Sequence, residues 1–192
     1  MLDLPDGLPI ELTPLAFLVG KWEGAGKVVV GEEEVPFTQV VTFEHDGHSA
    51  LKYSSTTSLE DGSLLPSELG YWRIKRARGA EEYGPGLLPP KEATHIKLHE
   101  DLEQYRHEDG GFLIQVSMLY PNGMAELYKG EVLKGRIQLA TEHGAAFEGA
   151  KVYNHSKRLF GIVNGNLLWA WDVAFAKGQA ESHASAELTK VQ

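Results

Sequence analysis

A single histidine near the C-terminus has the surroundings that most favour ligand chemistry. His183 lies in the segment Ser182-His183-Ala184-Ser185-Ala186, so its neighbours along the chain are small. Imidazole nitrogen is a common metal ligand, and small neighbours leave room beside the ring for a large, flat ligand. The alternative is a hydrogen-bonded histidine at the seam of a closed sheet, which the spacing by itself favours. Strand alternation predicts two faces, with His183, Ser185 and Glu187 on one and Ala184, Ala186 and Leu188 on the other.

A glycine-rich motif stands near the opposite end of the chain. Gly20, Trp22, Gly24 and Gly26 alternate with other residues in Gly-Lys-Trp-Glu-Gly-Ala-Gly. Glycine in a strand permits bending and the close approach of another backbone, and a tryptophan between glycines suits the tight closure of a barrel. We therefore expect Trp22 to pack on the barrel floor and the glycines to serve the backbone.

Other chemistries find little support. The chain has no cysteine, which excludes disulfides, thiolate ligands and a cysteine nucleophile. It contains neither a Gly-x-Ser-x-Gly elbow nor a His-Glu-x-x-His motif. Acidic runs at 32–34 and 81–82 stand in loop contexts, where solvated charge is the default interpretation. His95 and His99 would share one strand face, and a solvent-facing pair is favoured over a pair of ligands.

Composition limits the partners. The 192 residues carry a net charge of −9, spread along the chain, and 42% of them are hydrophobic. One domain with a substantial core fits this length. The dispersed negative charge disfavours nucleic acid and anionic membranes, which bind clustered Lys and Arg. Without an apolar run of about 18 residues or a signal-peptide pattern, a cytoplasmic protein is expected.

The elements that must position these residues are predicted to be strands. A short helix is expected over 12–19, with Thr13 as cap, Pro14 in its first turn and Gly20 at its end. Turn dipeptides such as Asn-Gly and Asp-Gly then separate twelve strand-like segments, at 21–30, 36–45, 49–59, 66–76, 93–99, 102–108, 111–120, 123–133, 136–143, 150–163, 166–175 and 181–190. Hairpins in sequence order predict an all-β, antiparallel up-and-down β-barrel.

Several segments together resemble the nitrobindin family, over most of residues 12–191. The start, 15–26, looks like the family's Gly-x-Trp-x-Gly-x-Gly motif after a short apolar helix, and 166–174 resembles its penultimate strand. The family's His-x-x-Ala-x-Leu falls in register on 183–188. Shorter segments at 43–47, 68–73 and 120–123 are also similar.

The resemblance implies a ten-stranded barrel akin to fatty-acid-binding proteins, as one domain over 1–192. It implies haem b at the open end, with His183 as the axial iron ligand and a hydrogen-bond acceptor on its other ring nitrogen. It also implies isomerisation of peroxynitrite to nitrate and reversible binding of nitric oxide. Neither nucleic acid nor membrane is expected as a partner, and a homodimer stays open as the state of assembly.

Two departures from the family concern the pocket. The segment 28–34, Val-Val-Val-Gly-Glu-Glu-Glu, stands where the family has Tyr-Pro-Thr, whose threonine lies near the haem. A region at about 77–110 is inserted, and it could cover the barrel mouth, narrow the pocket or form a partner surface.

Two non-enzymatic alternatives stay open. One is a carrier or sensor of a small hydrophobic ligand without haem, with Arg73, Arg136 or Arg158 holding a ligand carboxylate. The other is a structural barrel whose inserted region binds another protein.

Overall fold

The protein is a closed β-barrel with a short helical plug. The computed structural model describes residues 4–77, 96–175 and 178–191. A 3₁₀ helix spans Ile10–Leu18, and a short helix α1 spans His99–Glu103. The strands are β1 (Gly20–Val30), β2 (Glu33–Glu44), β3 (Leu51–Leu59), β4 (Leu64–Ile74), β5 (Phe112–Leu119), β6 (Met124–Leu133), β7 (Arg136–Ala146), β8 (His155–Val163), β9 (Asn166–Ala174) and β10 (Glu181–Lys190).

Each strand pairs antiparallel with its neighbours in sequence, and β10 returns to pair with β1. The seam runs from Trp22 opposite Lys190 to Val28 opposite Ala184. Among the described strands, closure leaves none at a free edge of the sheet. The prediction of a ten-stranded antiparallel barrel with a short N-terminal helix is confirmed.

The barrel interior follows the predicted alternation closely. On β5, Phe112, Ile114, Val116 and Met118 are all buried, and their outward neighbours are not. Two hairpin turns, at 134–135 and 164–165, have positive φ at both residues, as tight two-residue turns require. Local sequence thus determines both the inward face and the turns.

Two of the twelve predicted strand segments are wrong. Residues 96–98 lie outside any strand, and helix α1 begins at His99. In the segment predicted at 102–108, α1 ends at Glu103 and turns follow, with one isolated bridge at Arg106. The apolar residues responsible, Ile96 and Leu102, are buried against the barrel floor instead of alternating across a sheet. Residues 93–95 lie outside the described part of the chain.

The N-terminal helix begins earlier than predicted. Its cap is Pro9, whose carbonyl accepts a hydrogen bond from the amide of Leu12 at 2.9 Å, so Thr13 is not the cap. The helix ends at Leu18, and Gly20 starts β1 with φ 129°. Leu12, Leu15 and Leu18 are fully buried and close the barrel floor. The Trp22 indole donates to the Leu18 carbonyl at 2.7 Å, which joins the helix to the first strand.

The inserted region packs at the floor where it is described. A buried ion pair of 2.7 Å joins Arg76, just after β4, to Glu11 of the N-terminal helix. Ile96 and Leu102 belong to the same core as that helix. Because successive strands reverse direction, the start of β10 and His183 lie at the opposite, open end. For residues 96–111 the idea of a cover over the mouth is therefore wrong; residues 78–95 are outside the described part.

Gly24 and Gly26 lie where β10 packs closely on the backbone of β1. A Cβ at Gly24 would overlap the carbonyl oxygen of Glu187 and come 2.9 Å from the Leu188 Cα. A Cβ at Gly26 would lie 2.5 Å from Phe37 Cζ and 2.6 Å from Ala186 Cβ. Only glycine allows β10 and the Phe37 ring to pack directly on the β1 backbone.

We predict that Gly24→Ala lowers the free energy of unfolding by about 1–3 kcal/mol, because the backbone of β10 must move away. Gly161→Ala is the matched control, since a Cβ there meets nothing within 4 Å. Urea unfolding of both variants measures the difference. Equal stability of the two variants would show that the seam is looser than described.

Candidate functional site

A β-bulge determines where the His183 side chain lies. Ser182 pairs with Asp172 and Ala184 pairs with Trp171, so His183 is an extra residue without a partner on β9. In a bulge two residues oppose one, and strict alternation is broken. The predicted sharing of a face with Ser185 and Glu187 is therefore wrong. The His183 ring instead packs against Trp171, which lies on the inward register of β9.

Two aromatic rings hold the imidazole. Trp171 and Phe175 meet the His183 ring edge to face, with centroid separations of 5.1 and 5.3 Å. Within the described ranges His183 has no hydrogen-bond partner, so the expected acceptor on its second nitrogen is not found there. Ring packing fixes the orientation of the imidazole instead.

The same surroundings favour the neutral imidazole. His183 is half-buried, and burial lowers its pKa from the ordinary value. The positive charge of Arg158 is the second cause of the lowering. A neutral imidazole has a free nitrogen lone pair, which is the form that binds a metal.

Several large apolar side chains are exposed to solvent at the open end. Val30, Phe147, Val152 and Phe175 are all exposed there, Phe147 by 82%. Each belongs to a turn or strand end on the His183 side of the barrel. Exposed apolar groups gathered at one end of a barrel are typical of a ligand-binding rim.

The interior below this rim is polar. Arg158 and Glu68 form a buried ion pair, in which both guanidinium Nη atoms donate to the two carboxylate oxygens. Tyr53 also donates to Glu68, at 2.9 Å. Arg158 in turn lies 4.2 Å from the centroid of the Trp171 ring. Breaking such a pair by removing one partner typically costs about 3–5 kcal/mol, because a buried charge is left alone.

A second buried carboxylate, Glu126, is surrounded by hydroxyl groups. Tyr120 and Ser156 donate to it at 3.2 and 3.1 Å. The hydroxyls of Tyr128, Tyr153 and Thr141 donate at shorter distances. Tyr153 also meets the Trp171 ring at 5.7 Å, so this cluster is joined to the His183 site by one aromatic ring.

The three arginines considered as anchors for a ligand carboxylate differ in their exposure to solvent. Arg73 and Arg136 are exposed on the outer face of the barrel. Arg158 is internal, but its guanidinium already binds Glu68. A ligand carboxylate would have to displace Glu68 before it could bind there.

The segment that departs from the family pattern lies at the open end. Val28 pairs with Ala184, the residue after His183. A Lys27–Glu34 ion pair of 2.6 Å ties the ends of this hairpin on its outer side. The chain therefore has an apolar valine, Val28, beside the site and no hydroxyl group at this position.

Sequence reasoning did not identify the interior carboxylates. Strand alternation could have identified them as inward-facing residues. Glu68 shares the inward register of β4 with Gly70 and Trp72, and Glu126 shares that of β6 with Met124 and Tyr128. A charged residue in the inward register of a strand must find a buried partner. Which partner it finds depends on strands distant in sequence, as the separation of 90 positions between Glu68 and Arg158 illustrates.

The described residues thus define a closed antiparallel β-barrel with a half-buried, aromatic-packed histidine at its open end. Comparison with known proteins agrees. Residues 11–190 match the family described as "THAP4-like, heme-binding beta-barrel domain". The chain therefore belongs to this haem-binding β-barrel family, the nitrobindin family, as the sequence motifs indicated.

Individual relatives span the whole chain. A Clavibacter sepedonicus protein named peroxynitrite isomerase is 42% identical over 100% of both chains. One of the same name from Kocuria rhizophila is 41% identical over 100% of this chain and 96% of its own. The crystal structure of Rv2717c from M. tuberculosis has a TM-score of 0.67 at 21% identity, covering 99% of this chain and 100% of that one, and shows the likeness of fold. In the described part of the chain, no helix has the length and apolar character to cross a membrane.

We predict that His183 in the haem-free protein titrates below the ordinary histidine value of 6.5, because burial and Arg158 disfavour its charged form. The unfolded chain then binds a proton before the folded one as the pH falls. The contribution of His183 to the free energy of unfolding should therefore be lost as the pH drops below about 6.5. NMR titration of the imidazole measures the first effect, and urea unfolding beside His183→Gln measures the second. Titration at or above the ordinary value would contradict the described surroundings.

Proposed function

We propose that the protein binds haem b through His183 and isomerises peroxynitrite to nitrate. The observation that carries this proposal is the β-bulge, which directs a neutral imidazole to the open end between two aromatic rings. Membership of the haem-binding family and relatives about 40% identical that are named peroxynitrite isomerase support it.

The residues at the open end fit a haem by their chemistry. A neutral imidazole supplies one strong nitrogen ligand, and the flat, apolar macrocycle needs apolar surfaces beside it. Trp171, Phe175 and the exposed rim residues supply such surfaces, and Val28 extends them across the seam. The indole nitrogen of Trp171 is buried without a partner in the described residues, so a donor is free to meet a bound group.

The chain's own residues bind, orient and exclude water. When bound, the haem iron supplies the Lewis acid that polarises the O–O–N group of peroxynitrite. Peroxynitrite and nitrate contain the same atoms and charge, so the conversion needs no net proton or electron from the protein. His183 holds the iron, Trp171 and Phe175 fix the imidazole, and the apolar rim keeps the rearranging atoms from water.

Further expectations belong to the same proposal. Nitric oxide is proposed as a reversible ligand of the same iron, and the protein as a cytoplasmic one, with a homodimer open as its assembly. We also propose a single domain over 1–192, in which the region 77–110 is an insertion. The carrier alternative without haem has less support, because Arg158 is occupied by Glu68.

We predict that the purified protein takes up hemin with a Soret band and that His183→Ala weakens this binding at least about tenfold, since the iron loses its protein ligand. His155→Ala is the matched control, because His155 is an exposed histidine at the open end of β8, two strands away from β10. Absorbance titration measures haem binding, and stopped-flow decay of peroxynitrite with nitrate analysis measures the reaction.

Added imidazole should restore the Soret band of His183→Ala, because it replaces the missing ligand. An unchanged hemin affinity in His183→Ala, or an equal loss in His155→Ala, would overturn the assignment of the ligand. Haem binding by wild type without faster formation of nitrate would overturn the proposed reaction and leave the ligand intact.

A further inference from the structure

The hydroxyl cluster around Glu126 supplies no ligand to the haem proposed above, yet it lies directly below the open end. Five hydroxyl groups reach one buried carboxylate, and three of them are phenols, those of Tyr120, Tyr128 and Tyr153. The remaining two belong to Thr141 and Ser156. Three oxidisable phenols therefore share one carboxylate, which can accept a phenolic proton.

Glu126 accepts every hydrogen bond that it makes within the described residues. Tyr128 accepts from Arg158 Nε and Tyr120 accepts from Arg158 Nη2, each at 3.2 Å. Thr141 accepts from the Ser156 amide at 2.7 Å. These three hydroxyls accept from nitrogen donors and donate to Glu126, so the carboxylate is the common acceptor of the cluster.

The buried cluster is short of positive charge. Arg158 is bound at both Nη atoms by Glu68, and Glu126 has only hydroxyl partners among the described residues. Two carboxyl groups therefore share one guanidinium, which is a formal charge of −1 when both carboxyls are counted as ionised. Loss of one electron, with the proton kept inside, would bring this charge to zero, a favourable change in a low-dielectric interior.

Tyr153 is the phenol best placed to lose that electron. Its ring lies 5.7 Å from Trp171 and 6.5 Å from Phe175, the two rings that hold His183. Tyr128, by contrast, is buried deeper, with an exposed fraction of 1%. Burial raises the pKa of the Tyr153 phenol, so the phenol stays protonated and must release a proton when it is oxidised. The carboxylate of Glu126 receives that proton along an existing hydrogen bond.

We propose that Tyr153, with Glu126 as its proton acceptor, is the internal one-electron donor of this protein and its first site of nitration by nitrogen dioxide. One nitrogen dioxide radical takes the electron and becomes nitrite, while the phenolic proton passes to Glu126. A second nitrogen dioxide bonds to the ring carbon next to the oxygen-bearing one. The proton of that carbon then moves to the phenolic oxygen, which leaves 3-nitrotyrosine, and Glu126 returns its proton to solvent.

This role goes beyond the isomerisation proposed above and does not need haem. It would give the open end a reductant one aromatic ring away from His183. An oxidising radical formed there would be converted to a harmless anion, at the expense of one tyrosine.

The test uses the haem-free protein, exposed at neutral pH to peroxynitrite in bicarbonate buffer, which supplies nitrogen dioxide and carbonate radicals. Peptide mass spectrometry measures nitration at each tyrosine. Tyr71 is the internal control, because it is 53% exposed on the outer face of β4. We expect Tyr153 to be nitrated at least about fivefold faster than Tyr71, although it is less accessible. If exposure alone decides, Tyr71 is nitrated first and Tyr153 stays unmodified. That order would overturn the proposal.

A variant tests the proton acceptor. Glu126→Gln should lower nitration of Tyr153 at least about fivefold and leave Tyr71 unchanged, whereas Glu142→Gln, at an exposed carboxylate of β7, should change neither. If Glu126→Gln does not fold, by circular dichroism, the wild type in heavy water replaces it. There the ratio of Tyr153 to Tyr71 nitration should fall, because a proton moves with the electron. An unchanged ratio in either experiment would overturn the role of Glu126, and neither result bears on haem binding.

Discussion

The pairing of β1 with β10 is the contact on which the rest of the molecule depends. It closes the barrel, and it joins the two ends of the chain that carry the most informative residues. Glycines on β1 let β10 approach closely near the floor, while the bulge on β10 frees His183 from the sheet at the mouth. Closure and ligand geometry therefore come from one seam, which is why the glycine motif and the histidine occur together.

Inside the closed sheet, polarity changes along the barrel axis. The floor is apolar apart from the Arg76–Glu11 ion pair, and the N-terminal helix completes it, with Trp22 joining the helix to β1. Above it lie two buried carboxylates, one arginine and several hydroxyls, all satisfied by one another. Trp171 connects this layer to the site, since it touches Arg158, Tyr153 and His183. The site is thus supported from below by a rigid polar network, and its rim is left apolar.

Much of this architecture can be predicted from the sequence, because it depends on local rules. Alternation gives the inward residues of β5, and paired turn residues give the hairpins at 134–135 and 164–165. The face of His183 could not be predicted, since a bulge is a shift of one residue between two strands and has no local mark here. The same holds for Glu126 and Arg158, whose partners come from distant strands. The strands predicted around Ile96 and Leu102 were wrong because apolar residues that pack on a barrel floor can have the same spacing as those of a strand.

The departures from the family pattern fall at opposite ends of the barrel. The described part of the insertion, 96–111, packs with the N-terminal helix at the floor, away from the site. The valine-rich hairpin lies at the open end and makes its wall more apolar. The chemistry proposed for this chain therefore rests on His183, its two aromatic neighbours and an apolar wall.

The most direct test of this account is a crystal structure of the protein with haem bound. We expect the iron to be bonded to an imidazole nitrogen of His183, with the macrocycle against Trp171 and Phe175 at the open end. Iron bonded to another residue, or a haem seated away from the open end, would contradict it.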